Sequence, residues 1–115
     1  MAELLLHFEL ADGTEAAPTA QALERGLARL PGVSEAEALP DEARLTGLEI
    51  VGAISAAVVI LRKGRELVTE LNALLPELRK MVKGVKGLKN AFVEVGSKRV
   101  PIDQLTAAHL EELAK

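Results

Sequence analysis

The chain has 115 residues, 49% of them hydrophobic, yet its aromatic side chains are only Phe8 and Phe92, so we expect a single domain over residues 1–115 with an aliphatic core. It contains no cysteine, which excludes disulfides, thiolate catalysis and cysteine-based zinc sites. The start Met1-Ala2-Glu3 lacks the basic region of a signal peptide, and we expect a cytoplasmic protein.

The net charge of −3 conceals a division between the two halves of the chain. Residues 1–50 hold 3 Lys/Arg against 10 Asp/Glu, whereas residues 51–115 hold 11 against 7. An acidic half and a basic half favour head-to-tail contact, between copies or with a charged partner. The alternative interpretation is that these are solvated faces of opposite sign.

The first forty residues predict a strand, a helix and a second strand. Leu4, Leu6, Phe8 and Leu10 alternate with other residues and would share one face of a strand. A helix follows, with Pro18 in its first turn, Ala20, Leu23, Leu27 and Leu30 at helical spacing, and Pro31-Gly32 at its end. Val33–Leu39 is a weaker strand, and we expect the two strands to be parallel, joined by a right-handed crossover. Pro40–Glu42 would then be a loop.

The stretch from Thr46 to Leu88 predicts a long helix that is kinked, or divided into two helices in line, at Pro76. An unbroken helix of this length would span about 60 Å. Such a length exceeds the needs of one small domain and indicates a partner, which could be a second copy. Apolar or small side chains recur at steps of three and four, and we predict that this helix seam contacts the partner through Ile50, Ala53, Ala57, Ile60, Leu67, Leu71, Leu74 and Leu78.

The segment Ile50–Leu61 carries no charged residue. Such a helix is buried in protein or placed in lipid, although a bilayer span needs roughly 20 apolar residues. A buried or oligomer-core helix is the first interpretation, and a membrane-inserting helix is the alternative.

The period changes to two after Gly87. The residues Phe92–Val95, Gly96-Ser97 and Lys98–Ile102 predict a β-hairpin with Gly96 in the turn. Pro101 places the second strand at an edge of the sheet, where it could dock another chain. Asp103 or Thr106 would cap a short last helix.

The sequence contains no pattern of an enzyme, a metal site or a cofactor site. His7 and His109 lie far apart, and the acidic residues Glu35, Glu37, Asp41 and Glu42 lack the spacing of a calcium loop. A basic cluster at Arg79, Lys80, Lys83, Lys86 and Lys89 predicts a surface for an anionic partner. A solvated helix face or an acidic protein partner explains this cluster better than nucleic acid, because the chain has no Tyr or Trp for base stacking and its overall charge is acidic.

Four segments together resemble the small effector-associated constant component domains of bacterial conflict systems. They are Leu45-Thr46-Gly47-Leu48 with the apolar stretch through Leu61, Leu75-Pro76-Glu77-Leu78-Arg79, Val93-Glu94-Val95-Gly96, and Val100-Pro101-Ile102-Asp103. Domains of that family accompany caspase-, TIR- or protease-type effectors and are thought to act as adaptors. The resemblance implies an adaptor role here and no catalytic residue.

These observations predict an α+β domain in the order β-α-β, long kinked helix, β-hairpin and short C-terminal helix. The sheet would have three or four strands, backed by helices. The expected function is a non-enzymatic interaction module, an adaptor or oligomerising partner of a bacterial effector. The alternative is a small membrane-anchored protein.

Overall fold

The structure is a computed structural model that describes residues 2–45 and 49–114, with side chains described for residues 2–40 and 52–114. The elements are β1 (Ala2–Leu10), α1 (Ala16–Ala28), β2 (Val33–Leu45), β3 (Glu49–Ile60), α2 (Gly64–Gly84), β4 (Leu88–Val95), β5 (Lys98–Pro101) and α3 (Ala107–Leu113). A 3-10 turn over Ile102–Gln104 precedes α3. The fold is α+β, as the sequence predicts.

The five strands form one antiparallel sheet in the order β2-β3-β1-β4-β5. The strand β1 lies in the middle, between β3 and β4. The first six elements are two interleaved β-α-β units, the arrangement called ferredoxin-like. The strands β1 and β2 run in the same direction, as expected, but β3 lies between them.

The core lies between one face of the sheet and the helices. The strand β1 contributes Leu4, Leu6, Phe8 and Leu10, all at most 5% exposed, which confirms the predicted alternation. The helix α1 adds Ala20, Leu23 and Leu27, and α2 adds Leu67, Leu71, Leu74 and Leu78. Leu110 of α3 completes this side. With only two phenylalanines, the core is filled by interdigitating aliphatic side chains.

The prediction of one long helix from Thr46 to Leu88 is wrong. Glu49–Ile60 is a strand, the helix begins only at Gly64 and continues through Pro76 to Gly84, and Thr46–Leu48 lie outside the described residues. A short apolar run can be a buried strand or a buried helix, and periodicity alone does not separate them. The segment is rich in the β-branched residues Ile and Val, which favour a strand.

The expected sheet of three or four strands is also corrected, because it has five. Pro40–Glu42 is part of β2 and not a loop, since β2 continues to Leu45 in register with β3. Proline is tolerated there because β2 is an edge strand. The strand β3, taken for helix, supplies the missing fifth strand.

The predicted hairpin and last helix are confirmed in their main features. The strands β4 and β5 pair from Val95 with Lys98 to Phe92 with Pro101, and Gly96 in the turn has a φ of +61°. The strand β5 is an edge strand. Thr106 caps α3 by accepting a hydrogen bond from the backbone N–H of His109, while the His109 ring accepts one from the Thr106 N–H.

Candidate interaction surface

The second face of the sheet is not covered by any helix of the described residues. Directly paired residues of antiparallel strands project on the same side, so the register identifies this face. Its middle row crosses all five strands as Leu39, Ser55, His7, Phe92 and Pro101. A second row contains Leu5 opposite Ala57, with Val59 beside them. We call this surface the open face.

Apolar side chains remain exposed in the open face. Leu5 is 36% exposed and Leu39 is 57% exposed, whereas neighbouring inward residues such as Leu4 and Leu6 are at most 5% exposed. Val59 and Phe92 are half-buried. Leu5, Ala57 and Val59 form one apolar group on this face, whereas Ser55 and His7 separate Leu39 from Phe92 in the middle row. Exposed apolar side chains grouped on an uncovered sheet face indicate a site of protein contact.

Charged residues around the open face are mostly acidic. The register places Glu3, Glu9, Glu35, Glu37 and Glu94 on this side, against Arg99 alone among the described basic side chains of the strands. Glu94 is paired across the strands with Arg99, and Glu9 accepts a 2.8 Å hydrogen bond from the Asn90 side-chain amide. The remaining carboxylates give the open face a negative potential.

The residues of the predicted helix seam do not form one ridge. Leu67, Leu71, Leu74 and Leu78 lie on α2 but are 1–3% exposed inside the chain's own core, as is Ile60 at the end of β3. Ala53 and Ala57 lie on β3 and project to the open face, and the side chain of Ile50 lies outside the described residues. The prediction that these leucines contact a partner is therefore wrong, because the domain itself covers them.

The residues of the predicted basic patch lie between the second half of α2 and the start of β4. Arg79, Lys80 and Lys83 belong to the second half of α2, Lys86 follows that helix, and Lys89 lies at the start of β4. Arg79 is engaged internally: its Nε and Nη2 donate hydrogen bonds of 3.1 and 2.9 Å to the Ile102 carbonyl, and Asp103 lies 3.8 Å from its Nε. The four lysines are exposed.

A groove of about 280 Å³ lies beside three of these basic residues. The strand β5 pairs with β4 only from Phe92 to Val95, so Leu88–Ala91 extend beyond it and leave a gap at this edge. Val82, Leu88 and Ile102 supply apolar lining, while Arg79, Lys83 and Lys89 are the basic residues of the lining and Asp103 is its one carboxylate. We call this the basic groove.

The opposite edge of the sheet, β2, is protected against strand addition. The backbone N–H of Ala38 donates a 3.0 Å hydrogen bond to Glu24 Oε1 of α1, so this amide points away from β3. Position 40, two residues along the strand, points the same way and is proline, which has no N–H. An added strand would therefore find no free amide donor at these two consecutive outward positions.

Sequence reasoning did not identify the open face, because its central residues Leu5, Val59 and Phe92 are grouped only once β3 is known to be a strand. The β-branched content of Ile50–Ile60 is the signal that could have shown it. The role of Glu24 depends on a contact across 14 positions of sequence, which no local pattern reports.

The membrane-inserting helix of the alternative interpretation is contradicted, since Glu49–Ile60 is a strand. Within residues 2–45 and 49–114, no helix has the length and apolar character to span a bilayer. The same part of the chain contains no group of three His, Asp or Glu side chains placed to hold a metal ion.

Comparisons of the chain with protein-family models, curated proteins and solved structures found no match.

Proposed function

We propose that this chain is a non-enzymatic protein-interaction module, an adaptor of a bacterial effector system, that binds its effector through the open face. The observation that carries this proposal is the uncovered row of side chains across all five strands, with Leu39 and Phe92 in it and Leu5 beside it. The resemblance to effector-associated constant component domains supports the adaptor role.

The chemistry of the open face defines the partner surface that it fits. An apolar centre with an acidic border is complementary to a patch of aliphatic or aromatic side chains surrounded by Lys and Arg. Charges at such a border mainly raise the association rate and select the partner, while the desolvated apolar centre supplies most of the binding free energy. Binding should therefore weaken with salt but persist at moderate ionic strength.

The test is binding to the products of neighbouring genes that encode caspase-, TIR- or protease-type effectors. The decisive variant is Leu5→Lys, which removes an apolar contact and repels a basic partner at the centre of the face. Leu61→Lys is the matched control, because Leu61 is 57% exposed but follows β3 outside the sheet register. Far-UV circular dichroism would confirm that both variants fold.

We expect wild type and Leu61→Lys to bind one such effector equally, and Leu5→Lys to bind it at least about tenfold more weakly, the loss typical of a central interface residue. Titration calorimetry would measure the dissociation constants. Failure of the wild-type chain to bind any of these effectors would contradict the adaptor role. Equal binding by Leu5→Lys and Leu61→Lys would contradict the assignment to the open face.

A further inference from the structure

We propose that copies of this chain also associate head to tail, with Leu39 on β2 of one copy inserted into the basic groove of the next. The inference rests on the proposed function, because it names a second copy as one partner of the interaction module. It occupies the two ends of the middle row, with Leu39 on β2 at one end and the groove-lining Phe92 and Pro101 at the other. Leu5 on β1, which lies between them, remains available to the effector.

The inserted side chain is an exposed leucine with acidic neighbours. Leu39 is 57% exposed, and Glu37 and Glu35 project on the same side of β2, two and four residues before it. A leucine this exposed on a strand retains most of its apolar surface in water, and its transfer into an apolar groove is favourable. Because its neighbours are acidic, this leucine fits best into a groove with basic residues at its border.

The basic groove has the size, lining and charge that this side chain requires. Its apolar lining of Val82, Leu88 and Ile102 can receive a leucine, and its volume of about 280 Å³ exceeds that of one side chain. Lys83 and Lys89 are exposed at the groove, where they can meet Glu35 and Glu37. The Arg79 guanidinium donates to the Ile102 carbonyl, and this contact links α2 to the turn after β5 at one side of the groove.

The acidic and basic halves of the sequence lie at opposite edges of the folded sheet. The acidic N-terminal half supplies β2 at one edge of the sheet, and the basic C-terminal half supplies β4, β5 and the end of α2 at the other. An exposed apolar side chain at one end and a complementary groove at the other form a heterologous contact. Such a contact repeats from copy to copy and produces chains or rings larger than a dimer.

Contact at this edge is made by side chains and not by a continuous backbone ladder. Glu24 occupies the outward amide of Ala38, and Pro40 has none, so β2 cannot extend the sheet of another copy along its length. Substitution of exposed side chains should therefore control the association without disturbing the sheet.

The first experiment measures the mass of the chain alone by sedimentation velocity and light scattering over a range of concentrations. We expect wild type and Leu61→Lys to form species larger than a dimer, and Leu39→Lys to remain monomeric or to require at least about tenfold higher concentration. Leu61 matches Leu39 in exposure but lies on neither proposed surface. Circular dichroism confirms that each variant folds.

The second experiment exchanges the charges. One variant carries Glu35→Lys and Glu37→Lys, and the other carries Lys83→Glu and Lys89→Glu. Each should be monomeric alone, because both of its ends then have the same sign. Mixed in equal amounts, they should assemble alternately, since every contact in the mixture joins an acidic side to a basic one.

A wild type that stays monomeric, a mixture that does not assemble, or equal loss in Leu39→Lys and Leu61→Lys would each overturn the inference. The outcome is separable from that of the proposed function. A monomeric wild type that still captures its effector overturns head-to-tail association alone. A wild type that associates but binds no effector overturns the adaptor role alone.

Discussion

Gly87 connects α2 to β4 in a backbone conformation that other residues rarely adopt. Its φ is +88°, and a Cβ at this position would collide with the side chain of Thr14. The Gly87 carbonyl also accepts a 2.7 Å hydrogen bond from the Ala11 N–H, which fixes this turn against the turn that follows β1. Gly84, three residues earlier, is helical, and nothing lies within 4 Å of an added Cβ.

We therefore predict opposite effects for the same substitution at these two glycines. Gly87→Ala should lower the free energy of unfolding by at least about 1–2 kcal/mol, the cost of a left-handed non-glycine residue. Gly84→Ala should leave it unchanged or raise it by up to about 1 kcal/mol, because alanine is the better helix former. Urea denaturation followed by far-UV circular dichroism would measure both, and equal stability of the two variants would contradict the assigned turn.

At the scale of elements, β3 is the strand on which the sheet depends, because it pairs with β1 on one side and β2 on the other. Adjacent residues of a strand project to opposite faces. Val58 is 1% exposed in the core, whereas Ala57 projects to the open face opposite Glu37. The same substitution at these neighbouring positions should therefore have very different consequences.

We predict that Ala57→Lys folds with a free energy of unfolding within about 1 kcal/mol of wild type, since lysine reaches solvent and pairs with Glu37. Val58→Lys should not fold, because an unpaired ammonium in an aliphatic core is destabilising by several kcal/mol. Circular dichroism and thermal melting of the two proteins would test this. A folded Val58→Lys protein, or an unfolded Ala57→Lys protein, would be inconsistent with the register of β3.

The elements that the sequence predicts correctly are those with a clean polar–apolar contrast. Alternation in β1 and the leucine spacing of α1 identify them because their outward residues are polar, and Gly96-Ser97 identifies the hairpin turn. The strand β3 has apolar residues on both faces, so a two-residue period is hidden in it. Its Ala53, Ala57 and Ile60 fall by coincidence into the heptad steps of α2.

The candidate surfaces also differ in how far the sequence could predict them. The basic residues from Arg79 to Lys89 are close in sequence, so their cluster could be predicted. The open face could not, because it joins residues from five strands whose order requires long-range pairing. The basic groove likewise depends on β5 being shorter than β4, which brings Ile102 beside Val82.

At the scale of the whole molecule, one cluster of buried side chains runs from β1 to α3. No described helix could retain its structure without this cluster, since isolated helices of 7 to 21 residues are marginal or unstable in water. Unfolding should therefore be cooperative.

For the Leu39→Lys variant, whose unfolding is not coupled to the proposed association, we predict a single two-state transition with a heat-capacity change of about 1.5 kcal/mol/K, as expected for a chain of this length. Calorimetry and far-UV circular dichroism should give the same midpoint, and the calorimetric and van't Hoff enthalpies should agree. The chain has no Tyr or Trp, so fluorescence cannot replace these probes. Two separated transitions would show that the helix layer and the sheet are not one folding unit.

The hydrogen bond between Glu24 and Ala38, together with Pro40, has a consequence for the behaviour of concentrated solutions. An added strand would find two consecutive outward positions of β2 without a free amide, which interrupts the hydrogen-bond ladder that fibril growth along this edge would need. Copies at high concentration should therefore not extend one another's sheets through β2. Replacing both residues, with Glu24→Ala and Pro40→Val, should restore the two amide donors and increase the tendency of this edge to add a strand.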